Sequence, residues 1–154
     1  MHILELLQND ASLSTAVIAE RVGLSASPCW RRIDRLEREG YIKSRVALVD
    51  RAKVGLRAQI FAQVKLNAHG RANLDDFSSA ISKFPQVLEC YVLLGPVDFL
   101  LRIVAEDIEA YERFFFRELS NLAGVQEVNS VVALTEIKAT TALPIPTSKG
   151  SNNA

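Results

Sequence analysis

The residues best equipped for chemistry gather in two places along the 154-residue chain. The first lies between Ser25 and Gly40. On a helix advancing about 100° per residue, Cys29, Ile33 and Leu36 fall within about 60° of one another, while Arg31, Arg35 and Arg38 gather on the opposite side with Arg32 at the margin. Ser25 and Ser27 stand at the start of that helix. Guanidinium groups along a helix suit phosphate oxygens, and polar residues in its first turn are the ones that reach base edges, so this stripe fits nucleic-acid recognition. The competing reading is a solvated face in which Asp34, Glu37 and Glu39 pair the arginines at helical spacing. Trp30 is expected to pack at the flank of the helix.

The second place is the turn Gly95-Pro96-Val97-Asp98. A glycine permits close approach of a ligand or a neighbouring backbone, and a carboxylate beside it can hold an ammonium group or fix loop amides. A plain hairpin turn, with Asp98 bonded to the loop backbone, accounts for the same residues. Catalytic sets are missing. His2 and His69 are far apart, one terminal and one in a turn beside Gly70, and glycine-rich phosphate loops are absent. Cys29 and Cys90 lack metal-ligand or redox spacing and are expected to be buried thiols. Asp75 and Asp76 read as a solvated helix start favoured by the helix dipole. Neither a catalytic residue, a metal nor a cofactor is expected.

These groups need elements to hold them. Ile3, Leu4 and Leu7, then Val17, Ile18 and Val22, recur at helical spacing, with Ser14 placed to cap the second stretch. Gly23 ends it. The segment Ser25-Ala26-Ser27-Pro28 opens a third helix that runs to Gly40, and 41–49 is rich enough in β-branched and aromatic residues for one or two short strands, a wing. Residues 1–49 thus form a winged helix-turn-helix. The charged stretch 50–57 reads as a linker.

From there the rhythm changes to strand 60–66, helix 71–84, strand 87–94, strand 99–104, helix 107–122 and strand 125–137. This order is the ferredoxin-like βαββαβ arrangement over 58–140, so the fold class is α+β. Phe99-Leu100-Leu101, Val92-Leu93-Leu94 and Val131-Val132-Ala133-Leu134 are apolar at both parities, so the uncovered sheet face is expected to require a second subunit. Residues 141–154 read as a flexible tail.

Composition agrees with a globular protein, at 49% hydrophobic and 23% charged residues. The start carries no secretory signal pattern, and no stretch of eighteen apolar residues is free of charge, so a cytoplasmic protein without membrane contact is expected. Net charge is zero, yet residues 1–57 carry +3 and the remainder −3. The basic half is the half that should meet phosphate.

The run from Val22 to Ile33, continued by Arg35-Leu36-Glu37-Arg38-Glu39-Gly40-Tyr41-Ile42, resembles the helix-turn-helix signature of the Lrp/AsnC, or feast/famine, regulators. The run from Glu89 to Leu101 is similar to that family's glycine-x-x-aspartate effector loop, with Val97 where an aromatic residue is common, and 124–138 resembles its last strand. The likeness covers residues 1–140. It implies a homodimer able to build tetramers or octamers, double-stranded operator DNA as partner, and a small-molecule effector, an amino acid or related metabolite, bound between dimers. It assigns Gly95 and Asp98 to the effector loop and Val132 and Thr135 to the matching last strand. Siroheme decarboxylases resemble the same two-domain plan and give the alternative, an enzyme whose tetrapyrrole pocket would need cationic and histidine side chains.

Overall fold

The computed structural model describes residues 3–68 and 74–146. His2, the turn at His69 and Gly70, the first residues expected in the 71–84 helix, and the tail from Thr147 lie outside the described residues. Two compact units make up the chain, Met1–Leu48 together with the segment from Lys138, and Val49–Ile137.

The first unit is built on α1 (Ile3–Asn9), α2 (Thr15–Val22) and α3 (Ala26–Arg38). Ser14 caps α2 as its sequence position requires, its hydroxyl accepting from the Val17 amide at 3.3 Å. Gly23 ends α2 in the left-handed region at φ 69°, where it donates to Glu20 while Leu24 donates to Ala19 at 2.9 Å. That pair of bonds satisfies the last carbonyls of α2 and turns the chain sharply into α3. Leu6 and Leu7 of α1, Ile18 and Ala19 of α2, and Cys29 and Ile33 of α3 close a single small core.

Residues 42–49 form no strand. Ile42 is half-buried against the helical core, its amide bonded to the Leu36 carbonyl at 3.1 Å, and the residues after it are exposed, with Val46, Leu48 and Val49 in solvent. A hairpin wing would need a turn within the segment, and no glycine, asparagine or proline occurs between Tyr41 and Val49 to make one. The expected wing is therefore an irregular, exposed arm. Beyond Lys138 the chain is not loose as far as it is described. Gln8 donates from Nε2 to the Leu143 carbonyl and accepts the Leu143 amide at Oε1, both at 2.9 Å, so one side-chain amide serves as a strand partner. Leu143, Pro144 and Ile145 line a cavity of about 630 Å³ with Leu4, Leu7 and Tyr41. Part of the segment expected to be a flexible tail thus packs on α1.

The second unit is a four-stranded sheet of β1 (Ala58–Leu66), β2 (Val87–Val92), β3 (Phe99–Ala105) and β4 (Val125–Val132), in the order β2-β3-β1-β4. All neighbours are antiparallel, which is the ferredoxin-like arrangement. Helices α4 (Leu74–Ile81) and α5 (Ile108–Arg117) cover one face. Phe77, Ile81, Tyr111 and Phe114 from the helices meet Ile60, Ala62, Val64, Phe99 and Leu101 from the strands, with the Phe77 and Phe99 rings 4.5 Å apart. Residues 50–57 belong to this unit and are ordered, since Arg51 donates to the carbonyls of Leu56 and Arg57 and Asp50 accepts from the amides of Ala52 and Lys53.

Three boundaries differ from the sequence expectation. The second helix stops at Arg117 and passes into a short 3₁₀ turn, Leu119–Asn121. β2 ends at Val92 because the Leu93 amide turns to the Asp98 carbonyl at 2.9 Å. β4 ends at Val132, which pairs with Ile60, and only the Ala133 amide, bonded to the Gln59 carbonyl at 2.8 Å, continues the contact with β1. The uncovered face also differs. Strand register puts Phe61, Leu100, Tyr91 and Val131 there, but interleaved with Gln63, Arg102, Glu89 and Asn129. Arg102 donates to Glu89 at 2.6 Å, and the Tyr91 hydroxyl donates to the same carboxylate at 3.0 Å. The Arg102 hydrogen bond holds the Glu89 carboxyl below its ordinary pKa, with the Tyr91 bond adding to it against partial desolvation. The face is mixed rather than uniformly apolar.

Gly23 carries the turn on which the angle between α2 and α3 depends, and its positive φ is its only constraint, because a Cβ there would meet nothing within 4 Å. Gly23→Ala should cost about 1 kcal/mol through backbone strain alone. That lowers the thermal midpoint of the first unit by roughly 4–8 °C, and an unchanged midpoint would show that the left-handed turn is not required.

Candidate nucleic-acid interface

Helix α3 owes its orientation to two residues. Cys29 and Ile33 are buried, at 0% and 5% exposure, and each faces the α1–α2 core. Four residues apart, they define one side of the helix, so Ser27, Arg31, Asp34 and Arg38 are carried to the other. Arg35 shares that outward side and Arg32 stands at its margin, both exposed. Ser25 occupies the cap position with extended backbone, but its hydroxyl makes no cap bond and is left to other partners. All six residues singled out in the sequence, Ser25, Ser27, Arg31, Arg32, Arg35 and Arg38, are therefore brought to the surface of one element.

The carboxylate pairs weighed against them are present as well. Arg35 donates to Glu39 at 2.7 Å and Arg38 to Asp34 at 2.9 Å, each one helical turn apart. Glu37 is engaged from outside the helix by Arg45 at 2.7 Å. The Glu39 hydrogen bond raises the Arg35 pKa further, so this side chain is a permanent cation. Arg31 and Arg32 have no carboxylate within ion-pair reach among the described residues. Every one of these pairs is solvent-exposed, and exposed pairs contribute little because water screens them while holding two long side chains costs entropy. A phosphate can take over Arg35 or Arg38 at small cost, whereas Arg31 and Arg32 are available without any exchange. Both readings of the helix are thus compatible, and the pairs keep the arginines extended in the free protein.

Two features here were not foreseen. The Arg45 bridge spans eight residues and leaves no periodic signal. Trp30, expected to pack, is 57% exposed. Its phase on the helix, about a quarter turn from the buried stripe, was the available signal.

The Gly95 loop is built differently from its sequence expectation. Asp98 does not bond the loop amides; its Oδ2 accepts the Leu66 amide of β1 at 2.7 Å, and its own amide donates to the Val64 carbonyl at 2.9 Å. The carboxylate thus extends the β1–β3 ladder and fixes where the loop leaves the sheet. Gly95 has no positive φ and nothing within 4 Å of the position a Cβ would take, so neither torsion nor a close neighbour in the same chain demands glycine. The space above it is open. Val132 and Thr135 are not near this loop. Asp98 is bonded at the Leu66 end of β1, while Val132 pairs with Ile60. Six residues of strand separate the two levels, roughly 20 Å. Thr135 lies past the end of β4, exposed and outside the sheet. Within one chain the four loop and strand residues do not form one site. Cys90, expected buried, is on the exposed strand β2, and desolvation of its sulfur pushes the thiol pKa up. No group of three or more His, Cys, Asp or Glu is placed to hold a metal ion among the described residues. Nor, among them, is any helix long and apolar enough to cross a membrane.

Sequence comparison matches residues 1–43 to winged helix-turn-helix DNA-binding domains and residues 59–143 to the Lrp/AsnC ligand binding domain. The DNA-binding transcriptional activator DecR of Escherichia coli is 36% identical over 143 residues, 93% of this chain and 94% of the relative. Among solved structures, an AsnC family transcriptional regulator from Agrobacterium tumefaciens is 43% identical with a TM-score of 0.86, and a Neisseria meningitidis transcriptional regulator in complex with L-methionine is 38% identical with a TM-score of 0.87. In both cases 92% of each chain is covered. None of these likenesses is to a tetrapyrrole enzyme.

The Asp98 bond makes a prediction independent of any ligand. Asp98→Ala leaves the buried-side Leu66 amide without an acceptor and should destabilise the second unit by about 1–3 kcal/mol, while Asp98→Asn keeps an acceptor oxygen and should cost distinctly less. Urea denaturation of the two variants checks this, and equal midpoints would mean that the Leu66 contact carries no weight.

Proposed function

This chain belongs to the Lrp/AsnC family of transcriptional regulators, and we propose that it binds double-stranded DNA in a sequence-specific way through α3, in the cytoplasm, under control of an amino acid or related small metabolite. The observation that carries this reading is the division of α3 itself. Cys29 and Ile33 lock one side into the helix-turn-helix core, and the side forced outward presents Ser27, Arg31 and Arg38 as a ready surface. In a helix-turn-helix the first turn of the recognition helix reaches base edges and the arginines further along grip phosphate. Ser25 and Ser27 therefore take the base-reading positions, and Arg31, Arg32, Arg35 and Arg38 the phosphate-holding ones.

The L-methionine complex of the Neisseria relative supports an amino-acid effector. Gly95, with open space above it, and Asp98, which anchors the loop to β1, form one part of the binding surface. Val132 and Thr135 sit at the opposite end of the sheet, so they join the same site only if a second copy brings them there. The mixed sheet face, with Tyr91 and Val131 exposed and Phe61 and Leu100 half-buried between polar groups, supports a homodimer as the unit, with tetramers or octamers as its larger assemblies. An enzyme reading is left without support, since the relatives are named as regulators.

Arg31→Ala should weaken binding to DNA from the upstream region of its own gene while leaving the fold intact, because the side chain has no partner to lose within the protein. If Arg31 contacts a phosphate, the slope of log K against log salt should fall by about one. An affinity and slope equal to the parent's would move the interface off α3. The effector arm is read by titrating the DNA complex with each common amino acid. One of them should shift the DNA affinity by about 5–150-fold, the usual range for coupled sites, and no response to any would count against amino-acid control.

A further inference from the structure

Trp30 is the single tryptophan of the chain, and it stands 57% exposed on α3. Nothing in the first unit uses it. It is not part of the core that Cys29 and Ile33 close, no aromatic ring stacks on it, and its indole N–H makes no hydrogen bond among the described residues. Its place on the helix is specific. At about 100° per residue it lies about 60° from Ser27 and about 40° from Asp34 on one side and about 60° from buried Ile33 on the other, so it stands exposed at the flank of the outward surface, beside Ser27 and Asp34. It belongs to the N-terminal half of the helix, the half that enters deepest into a groove.

Resting on α3 as the recognition helix, we propose that Trp30 reads thymine, its indole ring lying against the C5-methyl group in the major groove. Each base pair presents a distinct set of groups there, and the thymine methyl is the apolar one, the feature that a large exposed apolar ring can recognise where serine, arginine and aspartate cannot. Arg31 beside it and Arg38 further along hold the backbone, which fixes the depth at which the ring meets the bases. Contact with one methyl makes one thymine in each half-site preferred, by about fourfold for a single buried methyl.

The test uses the full chain and a duplex that the protein itself selects from a random pool. Each thymine of that duplex is replaced in turn by uracil, which pairs identically and lacks only the methyl, and affinity is read by anisotropy of a labelled strand. The parent should lose about fourfold at one position per half-site. Trp30→Ala, whose circular dichroism should match the parent because the ring lies outside the core, should bind with no uracil-sensitive position left at that place. Emission gives a second readout from the same residue: the free protein should show the long-wavelength emission of solvated indole, and saturation with the duplex should shift it to the blue and shield it from acrylamide. Normal DNA binding with an indole that stays open to acrylamide overturns the proposal and leaves the DNA-binding reading standing. A shielded indole with the same uracil profile in parent and variant puts the ring on the sugar wall and overturns thymine reading. Failure of the parent to select or bind any duplex overturns the DNA-binding reading and this proposal with it.

Discussion

The burial of Cys29 and Ile33 against α1 and α2 is the constraint from which the first unit follows. The core there is small, so two residues one turn apart on α3 decide the rotation of the whole helix. Once they are fixed, the positions of Ser27, Arg31, Asp34 and Arg38 are not free choices; the 3.6-residue period carries them to the surface. The left-handed turn at Gly23 then fixes how α3 leaves α2, and the Schellman-type bonds to Ala19 and Glu20 complete that corner without a side chain. Charge is a consequence of this arrangement rather than its cause. The exposed ion pairs of Arg35 with Glu39 and Arg38 with Asp34 add little to stability.

The second unit depends on β1 in a comparable way. It is a central strand, bonded to β3 on one side and β4 on the other, and its alternate residues from Ile60 to Leu66 form the floor of the core. The end of β1 also sets the functional loop, because Asp98 takes the Leu66 amide. A side chain that the sequence presents as a ligand for a small molecule is thereby a structural bond first. The loop at Gly95 is thus anchored to the sheet, and six residues of strand separate its level from that of Val132, so the two do not share a site within one chain.

Much of this was legible in the sequence, and for definable reasons. Helix positions followed from strong periodicity at Ile18 and Val22 and from Ser14, Gly23 and Pro28 as punctuation, and the strand order followed from apolar runs separated by turn residues. The stripe of α3 arginines needed nothing beyond phase. The failures have physical causes too. The arm at 42–49 has the composition of a strand, but composition does not say whether a partner exists, and within this chain none does. The segment around Leu143 read as loose because its anchor, the Gln8 side chain, lies 135 residues away. Similarly, apolar residues at both parities in Phe99-Leu100-Leu101 suggested an apolar second face, while the polar groups on that face are Arg102, the next residue of β3 itself, and Glu89 and Gln63, which register brings in from β2 and β1.

The claim at the centre of the account is that the outward face of α3 meets DNA and the sheet of the second unit does not. Photocrosslinking tests it directly, with a benzoylphenylalanine placed at position 27 in one protein and at position 63 in another, each irradiated with a duplex that the protein binds. Crosslinks to DNA from position 27 and none from position 63 are the result this structure predicts. Crosslinks from position 63 with position 27 silent would contradict it.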